Sequence, residues 1–227
     1  RFDSARSGEV EVPSPDLEPE DYLTFELGFR TRQDLWSLSL TAHRTQMVDL
    51  ITRYPTGEEI DGERVVRKAN VGDGWSHGVE ARADVRLGQG FTTYGGLALL
   101  DGEADVYPTA EQQKPREPLS RLAPPQGFLG IRWDEFAGKA HYWVDAEGRF
   151  AGKADRLSTR DEGDTQRIPP GGTPGYAVLH LRGGITFEPG MSVTLGIENV
   201  FDTDYRIHGS GTNMPGRDAI LSVDLTF

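Results

Sequence analysis

The sequence predicts an all-β fold, an incomplete antiparallel transmembrane β-barrel segment of about nine long strands. Three observations carry the prediction. Apolar and polar residues alternate along most of the chain, at the period of two that a strand requires rather than the 3.6 of a helix. Short and long connections take turns between the alternating segments, and sorting loops by length onto two ends is what membrane barrels do. Some segments also run far past the ~5–6 residues of an ordinary globular strand.

The elements follow in order. In 21–32, Leu23, Phe25, Leu27 and Phe29 alternate with Thr24, Glu26, Gly28 and Arg30. In 35–53, Trp36, Leu38, Leu40 and Ala42 alternate with Ser37, Ser39, Thr41 and His43. The segment 64–87 reads as one long strand, with Val79, Ala81, Ala83, Val85 and Leu87 set against Glu80, Arg82, Asp84 and Arg86. Further strands are expected over 91–104, 125–134 and 136–150. In 175–188, Leu179, Leu181, Ile185 and Phe187 alternate with His180, Arg182 and Thr186. The last two are 191–200, with Met191, Val193, Leu195 and Ile197 on one face, and 216–227, with Leu221, Val223, Leu225 and Phe227.

Short turns are expected at 31–34, 88–90, 134–136 and 188–190, and long polar connections near 54–63, 102–124, 151–174 and 199–215. If the C-terminus is periplasmic, strand parity puts all four short turns on the periplasmic side.

Composition narrows the alternatives. No run approaches the ~18 consecutive apolar residues of a spanning helix, and mean hydropathy is −0.51. A barrel is compatible with that value, because only alternate residues meet lipid. A soluble extracellular β-sandwich that binds glycans or proteins shows the same alternation and stays open at this point. The net charge of −12 argues against nucleic acid as a partner. With no cysteine, no disulfide framework or Cys-based metal site is possible.

The motifs carry little chemistry. The five histidines, His43, His77, His141, His180 and His208, show no metal-site spacing, so no metal or other cofactor is expected. No Ser-His-Asp or Cys-His arrangement is visible, so no enzyme is expected. Gly209-Ser210-Gly211 lacks the spacing of a phosphate loop and reads as a turn. The acidic run Asp161, Glu162 and Asp164 reads as a solvated loop. Glu80, Arg82, Asp84 and Arg86 share one face and read as a lumenal salt-bridge ladder. His141, Trp143, His180 and Arg182 fall on polar faces. Together with His208 they are candidate lumen or ligand contacts, against the blander reading of ordinary lumen polar residues.

Four stretches resemble TonB-dependent outer-membrane receptors. They are SPDLEPEDYLTFELGFR (14–30), DLITR to NVGDGWSHGVEARADVRL (49–87), PLSRLAPPQGFLGIRW (118–133) and, most specifically, the terminal stretch 195–227. The last combines Glu198-Asn199-Val200-Phe201-Asp202, Tyr205, Pro215-Gly216-Arg217 and a terminal Phe227. The resemblance implies the final nine strands of a barrel of roughly 22, with residues 1–20 the remnant of an extracellular loop and the plug domain absent. It also implies outer-membrane uptake of a ferric siderophore, which supplies the iron ligands itself, or of a similar bulky nutrient such as cobalamin. Implied partners are outer-membrane lipid, the missing plug and N-terminal strands, and the TonB complex acting through that plug. The barrel-assembly machinery would read the signal formed by Val223, Leu225 and Phe227. An odd, open set of strands cannot close alone, so the chain is either a fragment of a longer gene product, the favoured expectation, or one that a partner completes.

Overall fold

The computed structural model describes residues 8–188 and 190–226. Nine long strands follow one another as an antiparallel meander: β2 (Asp21–Arg32), β3 (Trp36–Ile60), β4 (Glu63–Gly88), β5 (Phe91–Asp105), β7 (Gln126–Ala137), β8 (Ala140–Ala151), β9 (Tyr176–Phe187), β10 (Met191–Glu198) and β11 (Asp218–Leu225). Two short strands, β1 (Glu9–Glu11) and β6 (Arg116–Pro118), pair with β4 and β5. One short helix, α1 (Thr159–Gly163), sits in the β8–β9 connection.

All the strands belong to one open sheet, with β2 and β11 at its edges. Among the described residues no second sheet packs ~10 Å above it, as a sandwich would require. Its apolar face is bare: Leu27 is 77% exposed, Leu221 68%, Phe25 66% and Leu129 63%. The buried apolar residues are few and mostly small, namely Val65, Val66, Ala104, Ala140, Ala154, Ile168 and Val178. A water-soluble chain of this length that exposed one continuous apolar face would aggregate; a bilayer is the solvent that suits it. The soluble-sandwich expectation is therefore set aside.

The connections sort by length, with corrections. Short turns join β2 to β3, β4 to β5, β7 to β8 and β9 to β10 at one end. Hydrogen bonds tie these turns together: Asp134 N–H donates to the Gly90 carbonyl (3.0 Å), Glu188 N–H to Lys139 (3.0 Å) and Thr226 N–H to Gly190 (2.7 Å). The turn expected at 134–136 lies at 138–139, where Gly138 supplies a positive φ of 62°. Asp134, Glu135 and Phe136 belong to β7.

The long connection expected at 54–63 is strand instead. β3 and β4, of 25 and 26 residues, continue together to a tight turn at Asp61-Gly62, both with positive φ. At about 3.3 Å per residue each is some 80 Å long, well beyond a hydrocarbon core of about 30 Å. The predicted loop composition was misleading because Tyr54 and Pro55 still pair, and Glu59 resumes the ladder once a register shift absorbs Thr56, Gly57 and Glu58.

The extension leaves a free edge on β4 above Gly74, where β5 stops pairing. The segment read as a loop remnant covers part of that edge. β1 pairs in parallel with Arg64–Val66, Val12 N–H donates to the Val66 carbonyl (2.9 Å), and the Ser14 hydroxyl accepts from Lys68 N–H (3.0 Å).

Candidate functional site

Register assigns every strand residue to a face, because directly paired residues point the same way. One face carries Leu27, Ala42, Val79 and Leu99 in one cross-strand row, and Val144, Gly183, Leu195 and Leu221 in another. Near the short-turn end it carries Trp36, Phe91, Trp133, Tyr142 and Phe187. That is the aromatic girdle expected where a barrel wall leaves hydrocarbon for the interface.

The opposite face is polar and mutually paired. The Arg132 guanidinium donates to both oxygens of Asp134 (2.9 and 3.1 Å) and lies 4.5 Å over the Trp143 ring. His141 Nε2 sits 2.8 Å from Asp134, and its ring stacks on Phe136 at 4.3 Å. The Tyr94 hydroxyl reaches Asp145 (2.8 Å) and Glu147 (3.3 Å), and Arg149 donates to Glu147 (2.7 Å). Glu198 takes two contacts from Arg182 (2.9 and 2.8 Å) and one from His180 Nδ1. Cross-strand pairing of Asp145 with Arg182 and of Glu147 with His180 joins the two groups into one field.

Four of the five sequence candidates, His141, Trp143, His180 and Arg182, therefore share this face. His208 does not: it lies in the β10–β11 connection, its Nδ1 2.9 Å from the Thr173 hydroxyl. Val223 and Leu225 lie on the apolar face of β11, opposite Val193 and Met191. Phe227 is outside the described residues.

The salt-bridge ladder expected on β4 is not there. Arg82 lies over the Phe128 ring (5.7 Å), Asp84 accepts from the Ser37 hydroxyl, and Arg86 reaches the Asp34 carbonyl (3.4 Å). Same-strand pairs two residues apart do form elsewhere, at Arg132–Asp134 and Arg149–Glu147; on β4 a ring, a hydroxyl and a carbonyl from other segments take these side chains instead.

The sequence reading missed a recurring device of this sheet: a ring lying across a glycine on the next strand. Tyr94 faces Gly130, Phe128 faces Gly96 and Trp143 faces Gly184, each a direct cross-strand pair. A Cβ on Gly130 would stand 2.3 Å from Tyr94 Cζ, and one on Gly184 2.7 Å from Trp143 Nε1. The glycines admit flat rings, and through Gly130 the Tyr94 hydroxyl reaches its acceptors Asp145 and Glu147 one strand further on. Gly130→Val is expected to displace Tyr94 from Asp145 and cost about 1–3 kcal/mol. Guanidinium-induced unfolding of the refolded barrel measures it, with Gly148→Ala, which meets nothing closer than 3.8 Å, as the mild control.

The longer connections at the other end are built, not merely polar. Asp161, expected as a solvated acid, is 2% exposed in α1. Its carboxylate accepts from the Ser120 hydroxyl (2.7 Å), Arg121 N–H (3.1 Å) and Ser158 N–H (3.3 Å). Burial opposes its charge, but those donors outweigh burial and hold its pKa below the usual carboxylate value. Nearby, Glu117 accepts from Thr159, and Arg121 reaches Asp164 (3.2 Å). The β5–β7 and β8–β9 connections are thus clasped, and the His208–Thr173 contact brings in the last one.

That last connection is organised by Asn199, 2% exposed with φ 49°. Its amide donates to the Thr203 and Pro215 carbonyls (2.8 and 3.2 Å) and accepts from Thr203 N–H (2.9 Å). Asp202 accepts from Arg217 N–H (2.8 Å). The Glu198–Asp202 and Pro215–Arg217 motifs are the two ends of one stapled loop.

A single sheet with a lipid-compatible face, an aromatic girdle and a paired polar face is the wall of a membrane β-barrel. Residues 2–200 match the family described as TonB dependent receptor-like, beta-barrel, and the chain belongs to that family. Solved structures share the fold at low identity. The copper transporter OprC is 18% identical with TM-score 0.72, over 94% of this chain and 32% of that one. The FrpB iron transporter from Neisseria meningitidis (F3-3 variant) is 17% identical with TM-score 0.72, over 96% and 33%. The ferric-catecholate import receptor Fiu from K12 E. coli is 20% identical with TM-score 0.64, over 94% and 29%. The chain thus spans about a third of the length of these neighbours. No curated protein sequence matches it.

Proposed function

We propose that this chain forms part of the barrel wall of an outer-membrane TonB-dependent receptor that takes up a ferric siderophore or a similarly bulky nutrient such as cobalamin. The observation that carries the reading is the two-faced sheet within this family: lipid-compatible outside, charged and hydrogen-bonded inside. The short-turn end is periplasmic in this reading, and the clasped connections are extracellular. Several structural neighbours are named as iron or ferric-siderophore receptors, which favours iron over other cargo. The neighbour named as a copper transporter keeps a second metal cargo in play. The polar field would face the plug and the passing ligand, and its acids and bases already neutralise one another. Arg182 and His141 therefore act as lumen wall more than as ligand grip.

The test is uptake in the bacterium that makes the receptor. Deleting the whole gene should abolish TonB-dependent accumulation of one ferric siderophore under iron limitation, and restoring it should recover the uptake. Unchanged uptake of every ferric siderophore and of cobalamin would reject the assignment.

The role of the last strand has its own test. Removing Phe227 from the full receptor should cut the heat-modifiable, folded fraction in the outer membrane severalfold. A normal folded fraction would show that Val223, Leu225 and Phe227 are not read as an assembly signal.

A further inference from the structure

The lipid-facing surface carries a depression at Gly183 that the wall itself does not need. On β9 the outward position between Val144 and Leu195 is Gly183, so the cross-strand row dips there. The hollow has a volume of about 510 Å³ and is walled by Trp133, Tyr142, Val144, Ile185, Val193 and Leu195. Its size is within the ~300–1,000 Å³ of ligand sites. Backbone geometry does not demand a glycine at this position. Its φ is not in the left-handed region, and a Cβ there would meet nothing closer than the Trp143 carbonyl at 3.3 Å. The rings on the polar face explain Gly96, Gly130 and Gly184; no ring lies over Gly183.

The hollow is also placed for a lipid. Gly183 is four residues from the end of β9 at Phe187, about 13 Å along the strand. In a strand tilted by about 45° it lies some 9 Å above the short-turn end, within one leaflet of a ~30 Å core. Trp133 shares the cross-strand row of Val144 and Gly183, and Tyr142, opposite Ile185, stands two residues nearer that end, toward the level where aromatic side chains meet headgroups. Beyond them are two exposed charges, Glu135, outward on β7, and Lys139 in the β7–β8 turn. Neither has an ion-pair partner among the described residues. A carboxylate and an ammonium at this end of the β7–β8 hairpin match a headgroup that carries one charge of each sign.

We propose that the groove at Gly183 seats one acyl chain of a zwitterionic, ammonium-bearing phospholipid of the periplasmic leaflet, its phosphate at Lys139 and its ammonium at Glu135. The site rests on the barrel orientation of the proposed function. It gives this part of the wall a bound lipid rather than only a lipid solvent.

The experiment uses the whole receptor, refolded in detergent and exposed to palmitoyl-oleoyl phosphatidylethanolamine or phosphatidylglycerol. Native mass spectrometry counts retained lipid, and a photoactivatable acyl chain maps the contact. The expected result is one retained phosphatidylethanolamine, cross-linked to peptides containing Val144 or Leu195. Gly183→Leu should lower that occupancy at least fivefold, and Lys139→Gln two- to threefold. Equal retention of both lipids would overturn the headgroup assignment, and equal retention by wild type and Gly183→Leu would overturn the groove. Should Gly183→Leu fail to fold, the wild-type cross-link map decides, since labelling spread evenly over the apolar face rejects the site. A heat-modifiable barrel without retained lipid defeats this inference alone. A receptor with no heat-modifiable form defeats the barrel reading beneath it.

Discussion

Ile131→Arg in the whole receptor is expected to destabilise the barrel by about 2–4 kcal/mol, the cost of a midplane arginine on a lipid face. Ile131 is outward on β7, 44% exposed, and flanked across the strands by Thr93 and Ala146. It lies six residues from the end of β7 at Ala137, about 20 Å along a tilted strand and therefore near mid-depth. The next residue is already an arginine, Arg132, and it is accommodated because it points to the polar face and finds Asp134. The adjacent positions thus test the face assignment directly. Unfolding in lipid vesicles reads the difference, and Thr194→Arg on the polar face of β10 should cost far less. Were this surface bathed in water instead, an exposed Ile→Arg change would shift stability by no more than about 0.5 kcal/mol. That outcome would contradict a lipid-facing wall.

Asp161→Ala is expected to open the clasp between the long connections. The carboxylate is buried and holds donors from two connections, Ser120 and Arg121 on one and Ser158 on its own. Truncation leaves those donors unpaired, at about 1–3 kcal/mol for each that water cannot reach. The effect should be local. Hydrogen exchange would accelerate at 118–123 and 156–173, while β7, β8 and β9 keep their protection. Asp161→Asn keeps the shape but loses the charge, and should show a smaller version of the same pattern.

The clasp also carries a pH dependence of defined sign. The folded pKa of Asp161 is lowered relative to the unfolded chain. Its stabilisation is therefore complete above the unfolded value of about 3.9 and is lost as pH falls through the lower folded value. His208 points the same way, since burial depresses its pKa and the neutral ring is the one that fits. Its contribution is complete above about 6.5 and declines on acidification. Loop protection should thus weaken in two stages as pH drops, the first removed by His208→Gln and the second by Asp161→Asn.

Much of this protein is legible along the chain. Alternation marked six of the nine long strands directly, because the pleat alone sends successive side chains to opposite faces, and the remaining three were expected between them. The same alternation placed His141, Trp143, His180 and Arg182 on a polar face and Leu221, Val223 and Leu225 on an apolar one. What alternation could not supply is what lies across a strand. The predicted β4 ladder failed for that reason: Arg82 turns to Phe128 and Asp84 to Ser37, residues distant in sequence. Composition misjudged 54–63 because Gly, Pro and acidic residues read as loop until a long hairpin partner pairs with them. It misjudged Asp161 because a short acidic run looks solvated until Ser120 and Arg121 arrive from another connection.

By itself, then, the sequence determined a two-faced antiparallel sheet, since facing is a local property of strand geometry and needs no knowledge of neighbours. Only the tertiary structure decided which residues meet. Register set the aromatic rings over Gly130, Gly96 and Gly184. Strand order brought Glu198 to His180 and Arg182. The long connections folded onto one another to bury Asp161, and the missing side chain at Gly183 became a hollow only because Val144 and Leu195 stand on either side. Each of these is a contact across many residues of chain, fixed by pairing energies and packing that no local pattern encodes.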